Sequence, residues 1–212
     1  MPKLAFVIDM AYKITFDPTD EASVQPRIGG KSLLPANLDW PRNPNGEPLV
    51  LIASLSSQFL NDELGFALPS ESFVSVFTTY NKDDYFLDVI TYSGSEEELD
   101  NIRSGFTKVI VHEKGAPRND SEYLIPSMHL VFSNMQNDID DYTGSKLAGK
   151  PGWLQKGMEI PADYKFVLQL YSSDFPEEFE GIFYLTDSVG YLLVNDKSAI
   201  NTEAGLFFTQ AT

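Results

Sequence analysis

The sequence predicts an α+β fold, mostly β, in which two similar sheet-rich halves pack as one globular unit. Three observations predict it. Segments that read as strands outnumber those that read as helices, and the helices are short. No low-complexity segment or linker cuts the chain. One phrase is written twice. Ile28-Gly29-Gly30-Lys31 and Leu147-Ala148-Gly149-Lys150 each open a Pro-containing loop bearing a Trp (Trp40, Trp153). An apolar strand ending in serines follows in both, at 49–57 and 166–173, and then a second strand at 73–77 and 181–185. Self-similarity on this scale is read before any local motif. The repeat halves fall at 26–80 and 146–186, within one domain spanning 1–212.

Each element has its own justification. Residues 1–25 are mixed, and Ala5-Phe6-Val7-Ile8 reads as a strand or the start of a short helix. Residues 26–48 form a loop of turn formers, including Pro26, Gly29, Gly30, Pro35, Asn45 and Gly46. Trp40-Pro41 within it is a candidate cis bond. A strand is expected at 49–55, then a short helix or turn over 56–63. Strands at 73–79 and 85–92 flank the polar turn Asn81-Lys82-Asp83-Asp84. Ser95-Glu96-Glu97-Glu98 is a capping box whose acidic first turn suits the helix dipole. That helix runs over 96–103 and stops before Gly105.

Phe106–His112 and Met128–Phe132 alternate as strands, with polar, irregular sequence between them. Residues 134–145 read as loop or short helix. Strands follow at 165–171, 181–186 and 190–194, the last two joined by a tight turn at Asp187-Ser188. Leu206–Thr209 is a closing strand.

Composition narrows the function. Fifteen Lys and Arg against 31 Asp and Glu give a net charge of −16. Phosphate backbones and anionic membranes repel such a surface, whereas a basic protein is drawn to it. With no cysteine there is no disulfide framework, thiolate nucleophile or cysteine zinc site. The N-terminal run lacks the basic lead and small-residue cleavage site of a signal peptide, and no apolar stretch reaches spanning length. A cytoplasmic protein without nucleic-acid or membrane partners is expected.

The local motifs favour structure over chemistry. Gly29-Gly30-Lys31-Ser32 lacks the spacing of a phosphate-binding loop, and Pro35 obstructs a following helix. His112 and His129 fall on expected strands, with no nucleophile elbow to serve. Asp83-Asp84 and Asp138-x-Asp140-Asp141 lack the glycine and terminal glutamate of a calcium loop. No cofactor or metal is expected.

A family resemblance rests on particular residues. Ile28-Gly29-Gly30-Lys31-Ser32-Leu33-Leu34-Pro35, Trp40-Pro41, Gly46-Glu47-Pro48-Leu49 and the Leu51-Ile52-Ala53 strand are similar to the YwqG-like family, DUF1963. Gly149-Lys150-Pro151-Gly152-Trp153-Leu154-Gln155, Leu168-Gln169-Leu170 and Gly181–Leu185 extend the likeness. The chain departs from the pattern at Lys31-Ser32, at Ser54 where Gln is usual, and at Ser72 where Gly is usual. The resemblance implies a duplicated, sheet-rich cytoplasmic bacterial domain linked to polymorphic toxin loci, and so an immunity protein.

The functional expectation is therefore a non-catalytic acidic protein that neutralises a cognate toxin by direct binding. Its partner-binding residues are expected in two loops, at Asp138, Asp140, Asp141 and Tyr142, and at Phe175, Glu177, Glu178 and Glu180. Loops carry contacts, charges steer the approach and aromatics anchor it. The alternative is an enzyme or small-ligand binder using a cleft between the halves, with Gln155, Gln169 and His129 as polar candidates.

Overall fold

The first regular alternation lies at Tyr12–Pro18 (β1), where Tyr12 and Ile14 are buried and Lys13 and Thr15 exposed. The computed structural model describes residues 11–135 and 144–211. The further strands are Arg27–Ile28 (β2), Val50–Ser56 (β3), Ser72–Thr78 (β4), Thr107–Glu113 (β5), Met128–Asn134 (β6), Lys146–Leu147 (β7), Lys165–Tyr171 (β8), Val189–Val194 (β9) and Gly205–Gln210 (β10). Three short helices, Ser57–Leu64 (α1), Leu87–Ile90 (α2) and Glu96–Asn101 (α3), lie in the connections.

All ten strands form one sheet in the order β10-β9-β8-β7-β1-β6-β2-β3-β4-β5. The fold is mostly β, as expected. Every pairing between the named strands is antiparallel. Outward from the central β1–β6 pair, each side runs through one two-residue strand and then three longer ones. The outer strands β5 and β10 come together and nearly close the sheet. The amides of Val111 and Asn201 exchange bonds at 2.8 and 2.9 Å, and Thr107 Oγ1 donates to the Phe207 carbonyl at 2.6 Å. Closure hides edges that would otherwise pair with other chains.

The main core fills the inside of this sheet and draws on both sides, from Val50, Ile52, Ala53 and Val76 to Val167, Leu168, Leu192 and Phe207. Register breaks let adjacent residues both point inward. In β3 the shift falls between Leu51 and Ala53, and in β8 between Phe166 and Leu168. Leu51 and Phe166 therefore turn to the outer faces. There a Trp-bearing loop covers each side. Trp40 meets Phe77 edge-on at 5.3 Å, and Trp153 lies 4.7 Å from Tyr191.

Two expected strands are not strands. Residues 85–92 contain α2, because Phe86 and Ile90 are buried one helical turn apart and Thr91 Oγ1 donates back to the Leu87 carbonyl at 2.9 Å. Residues 181–186 form successive turns, so the tight turn at Asp187-Ser188 joins no strand pair. Ile182 and Phe183 are both buried, and Tyr184 has a φ of 74°, outside strand geometry. The strand that pairs with β8 is instead β9. The strand β1 and the short strands β2 and β7 arise where none was expected. Among the described residues no peptide is cis, Trp40-Pro41 included.

Candidate functional site

The polar groups that looked most chemical hold the backbone. Gly29 and Gly30 have φ of 60° and 70°, and a Cβ on Gly29 would sit 2.5 Å from the Pro126 carbonyl oxygen. Arg27, fully buried, donates to the main-chain carbonyls of Ser23 (2.9 Å), Gly29 and Lys31. Burial lowers its pKa to about 10. The Gly-Gly-Lys turn is thus wrapped around a guanidinium and closed to phosphate. The turn before Lys150 has Ala148 and Gly149 at φ of 58° and 68°.

Gln169 and Gln155, candidates for the cleft, are committed to the main chain as well. Gln169 accepts from Gly152 N at 2.8 Å and donates to the Gly144 carbonyl at 2.9 Å. Gln155 donates to the Ala211 carbonyl at 3.1 Å. His129 lies on β6 between Asp17 of β1 and Arg27 of β2 in the sheet register. His112 is buried, with Nε2 2.8 Å from Ser75 Oγ and Nδ1 2.8 Å from the Glu113 carbonyl. A carbonyl only accepts, so Nδ1 carries the proton and Nε2 accepts from the serine.

The residues expected at a partner site divide in three ways. Asp138, Asp140, Asp141 and Tyr142 lie outside the described residues. Glu177 and Glu178 are exposed on a short turn, and Glu180 is half-buried, its carbonyl accepting from Ser172 Oγ. Phe175 corrects the expectation of a surface anchor. It is 3% exposed and packs edge-on against Phe183 at 5.4 Å. The spacing of apolar residues in that loop serves the core.

Beside Glu177 and Glu178 the fold assembles an aromatic cluster that sequence reasoning missed, with Phe86 and Phe179 buried and Tyr80 and Tyr123 half-buried. The residues after β4, the segment before β6 and the β8–β9 connection converge there. Tyr80 lies 4.9 Å from Tyr123, 5.8 Å from Phe86 and 5.8 Å from Phe179. Outside them, Tyr85 and Tyr184 meet edge-on at 4.9 Å and remain 57% and 38% exposed. The Tyr85 hydroxyl donates to Asp88 at 2.5 Å, which raises its pKa. Exposed Asp83 and Asp84 precede Tyr85 in the chain, and exposed Glu177 and Glu178 precede Phe179. The one signal in the sequence was the density of aromatics beside Asp83-Asp84, hidden by assigning Tyr85 and Tyr184 to strands.

A groove of about 520 Å³ lies elsewhere, where the end of α1 meets residues 148–166, lined by Leu64, Phe66, Ala148, Ile160, Tyr164 and Lys165. Lys165 pairs with Asp196 at 2.9 Å and holds that carboxyl below its usual value. None of Gln155, Gln169 and His129 lines it.

The family model described as a domain of unknown function (DUF1963) matches residues 26–143, more than half of the 212. The chain belongs to the DUF1963 family. No curated protein matches it. The DUF1963 match runs from before β2 to beyond β6, so Tyr80, Tyr85, Phe86 and Tyr123 fall inside it. Phe179, Tyr184, Glu177 and Glu178 come from the part of this DUF1963 protein beyond the match. Among the described residues no helix is long and apolar enough to cross a membrane.

Proposed function

We propose that the protein is a non-catalytic acidic binding protein, a bacterial immunity protein of the cytoplasm that neutralises a cognate toxin by direct contact. The observation that carries this reading is the exposed Tyr85–Tyr184 pair set among exposed carboxylates. Tyrosines supply contact area at low entropic cost, and the surrounding charge of a −16 chain accelerates encounter with a basic partner. Glu177, Glu178 and Glu180 border that surface. Asp138, Asp140, Asp141 and Tyr142 enter the proposal from the sequence alone. The two sheet halves are read here as copies of one unit, supported by the mirrored strand order and the matching register breaks in β3 and β8.

Capture of one basic partner is expected, held firmly at low salt and less so at moderate salt. That partner should arrest growth when expressed alone and be silenced when this chain is co-expressed. Glu177→Lys combined with Glu178→Lys should slow association about ten-fold, at the low end of electrostatic steering. Association indifferent to these changes, and to lysine at Asp138, Asp140 and Asp141, would sink the electrostatic mechanism. The groove between the halves favours a second reading, a small-ligand binder, which a metabolite-dependent rise in melting temperature would support.

A further inference from the structure

We infer that Tyr80, Tyr123 and Phe179 form a subsite for a lysine side chain of the partner, and that Lys82 occupies it as a displaceable stand-in. The inference rests on the basic-partner reading above and gives it a point of attachment.

Lys82 is exposed and stands next to Asp83 and Asp84. Among the described residues it makes no ion pair. Its ammonium lies instead over two rings, 5.5 Å from the centre of Phe179 and 5.9 Å from that of Tyr123. Those distances are within cation–π range, and the rings beneath the ammonium are a Phe179 that is 5% exposed and a half-buried Tyr123. Tyr80 touches both rings and fixes their tilt. The three rings come from three separate stretches of chain, so the arrangement belongs to the fold and not to a local motif.

The setting suits an incoming cation. Exposed Tyr85 and Tyr184 extend the aromatic surface outward, and Glu177, Glu178, Asp83 and Asp84 make its border acidic. Tyr184 is held at a φ of 74°, a costly conformation for a bulky residue, which the surrounding rings Tyr85 and Phe86 maintain. Lys82 sits on an exposed turn and can leave for water. A partner lysine would replace one ammonium by another, so the internal residue competes with the guest. Removing Lys82 removes the competitor.

The test uses the whole chain and a capped peptide, acetyl-Gly-Ser-Lys-Ser-Gly-amide, against the same peptide with norleucine for lysine. Aromatic NMR resonances are followed during titration. The lysine peptide should shift the rings of Tyr80, Tyr123 and Phe179, and the norleucine peptide should not. Lys82→Ala should tighten lysine-peptide binding by about two- to five-fold, the worth of an exposed cation–π contact. Lys114→Ala removes the same charge from an exposed position away from the rings and should leave binding unchanged. Equal tightening by both variants, equal response to norleucine, or silent rings would each overturn the subsite. The peptide carries no toxin surface. Its failure would leave partner capture and its dependence on Glu177 and Glu178 to be judged separately, and loss of that dependence would not alter the ring titration.

Discussion

His112 shows how a residue that looks catalytic is consumed by packing. It lies on the outer face of the sheet with Phe73 stacked 6.3 Å away, donating to its neighbour's carbonyl and accepting from buried Ser75. Burial is the main cause of its lowered pKa. The Glu113 carbonyl opposes the shift and Arg118 adds to it. The linkage has a definite sign. Between the depressed folded value and the ordinary value near 6.5, the unfolded chain binds more protons than the folded one. Stability should therefore fall as pH drops through about 6.5 and level off below the folded value. Urea unfolding of the wild type and of His112→Gln, compared from pH 7.5 down to 5.5, checks this. A wild-type slope no steeper than the variant's would refute it. The sequence revealed that His112 and Gln169 sit on strands. It did not reveal their partners, because Gly144 and Gly152 reach Gln169 only through tertiary folding.

At the scale of elements, legibility followed periodicity. The strands β3, β4, β8, β9 and β10 were visible as runs of apolar residues and β5 and β6 as alternations, while the short helix or turn expected over 56–63 is α1, where Ser56 accepts from Phe59 N and Gly65 ends the helix at a φ of 66°. Residues 85–92 and 181–186 misled because aromatic β-formers there pack as a cluster rather than alternate. The aromatic site was illegible for the same reason, since its rings meet only across three connections. The Trp-bearing loops were legible as repeated phrases, and their role gives a prediction. Trp40 is nearly buried on Phe77, with Nε1 donating to the Leu49 carbonyl at 2.9 Å, whereas Trp153 is half-exposed. Trp40→Ala should cost about 3–5 kcal/mol and Trp153→Ala clearly less, measured by urea midpoints. Equal costs would mean that the two loops cover their sheets equally, contrary to this burial difference.

Over the whole molecule, charge opposes compactness. The chain carries −16, and the exposed ion pairs among the described residues are few: Lys31–Glu21 at 2.8 Å, Lys108–Glu203 at 3.7 Å, Arg118–Asp120 at 3.1 Å and Lys165–Asp196 at 2.9 Å. Water screens such pairs, so each contributes little to stability. Two like charges 10 Å apart repel by roughly 0.4 kcal/mol in water, and folding brings many carboxylates to such distances. Salt shortens the reach of that repulsion from about 30 Å at 0.01 M to about 8 Å at 0.15 M. Because repulsive pairs outnumber attractive ones, the urea midpoint should rise as sodium chloride is added over that range. A falling midpoint would mean that the ion pairs dominate. The same screening would weaken attraction to the basic partner proposed above, so under that proposal salt should stabilise the free protein while slowing association. The first response follows from net charge alone, whereas the second tests the basic partner proposed above, so only an association that slows with salt bears on the proposed function.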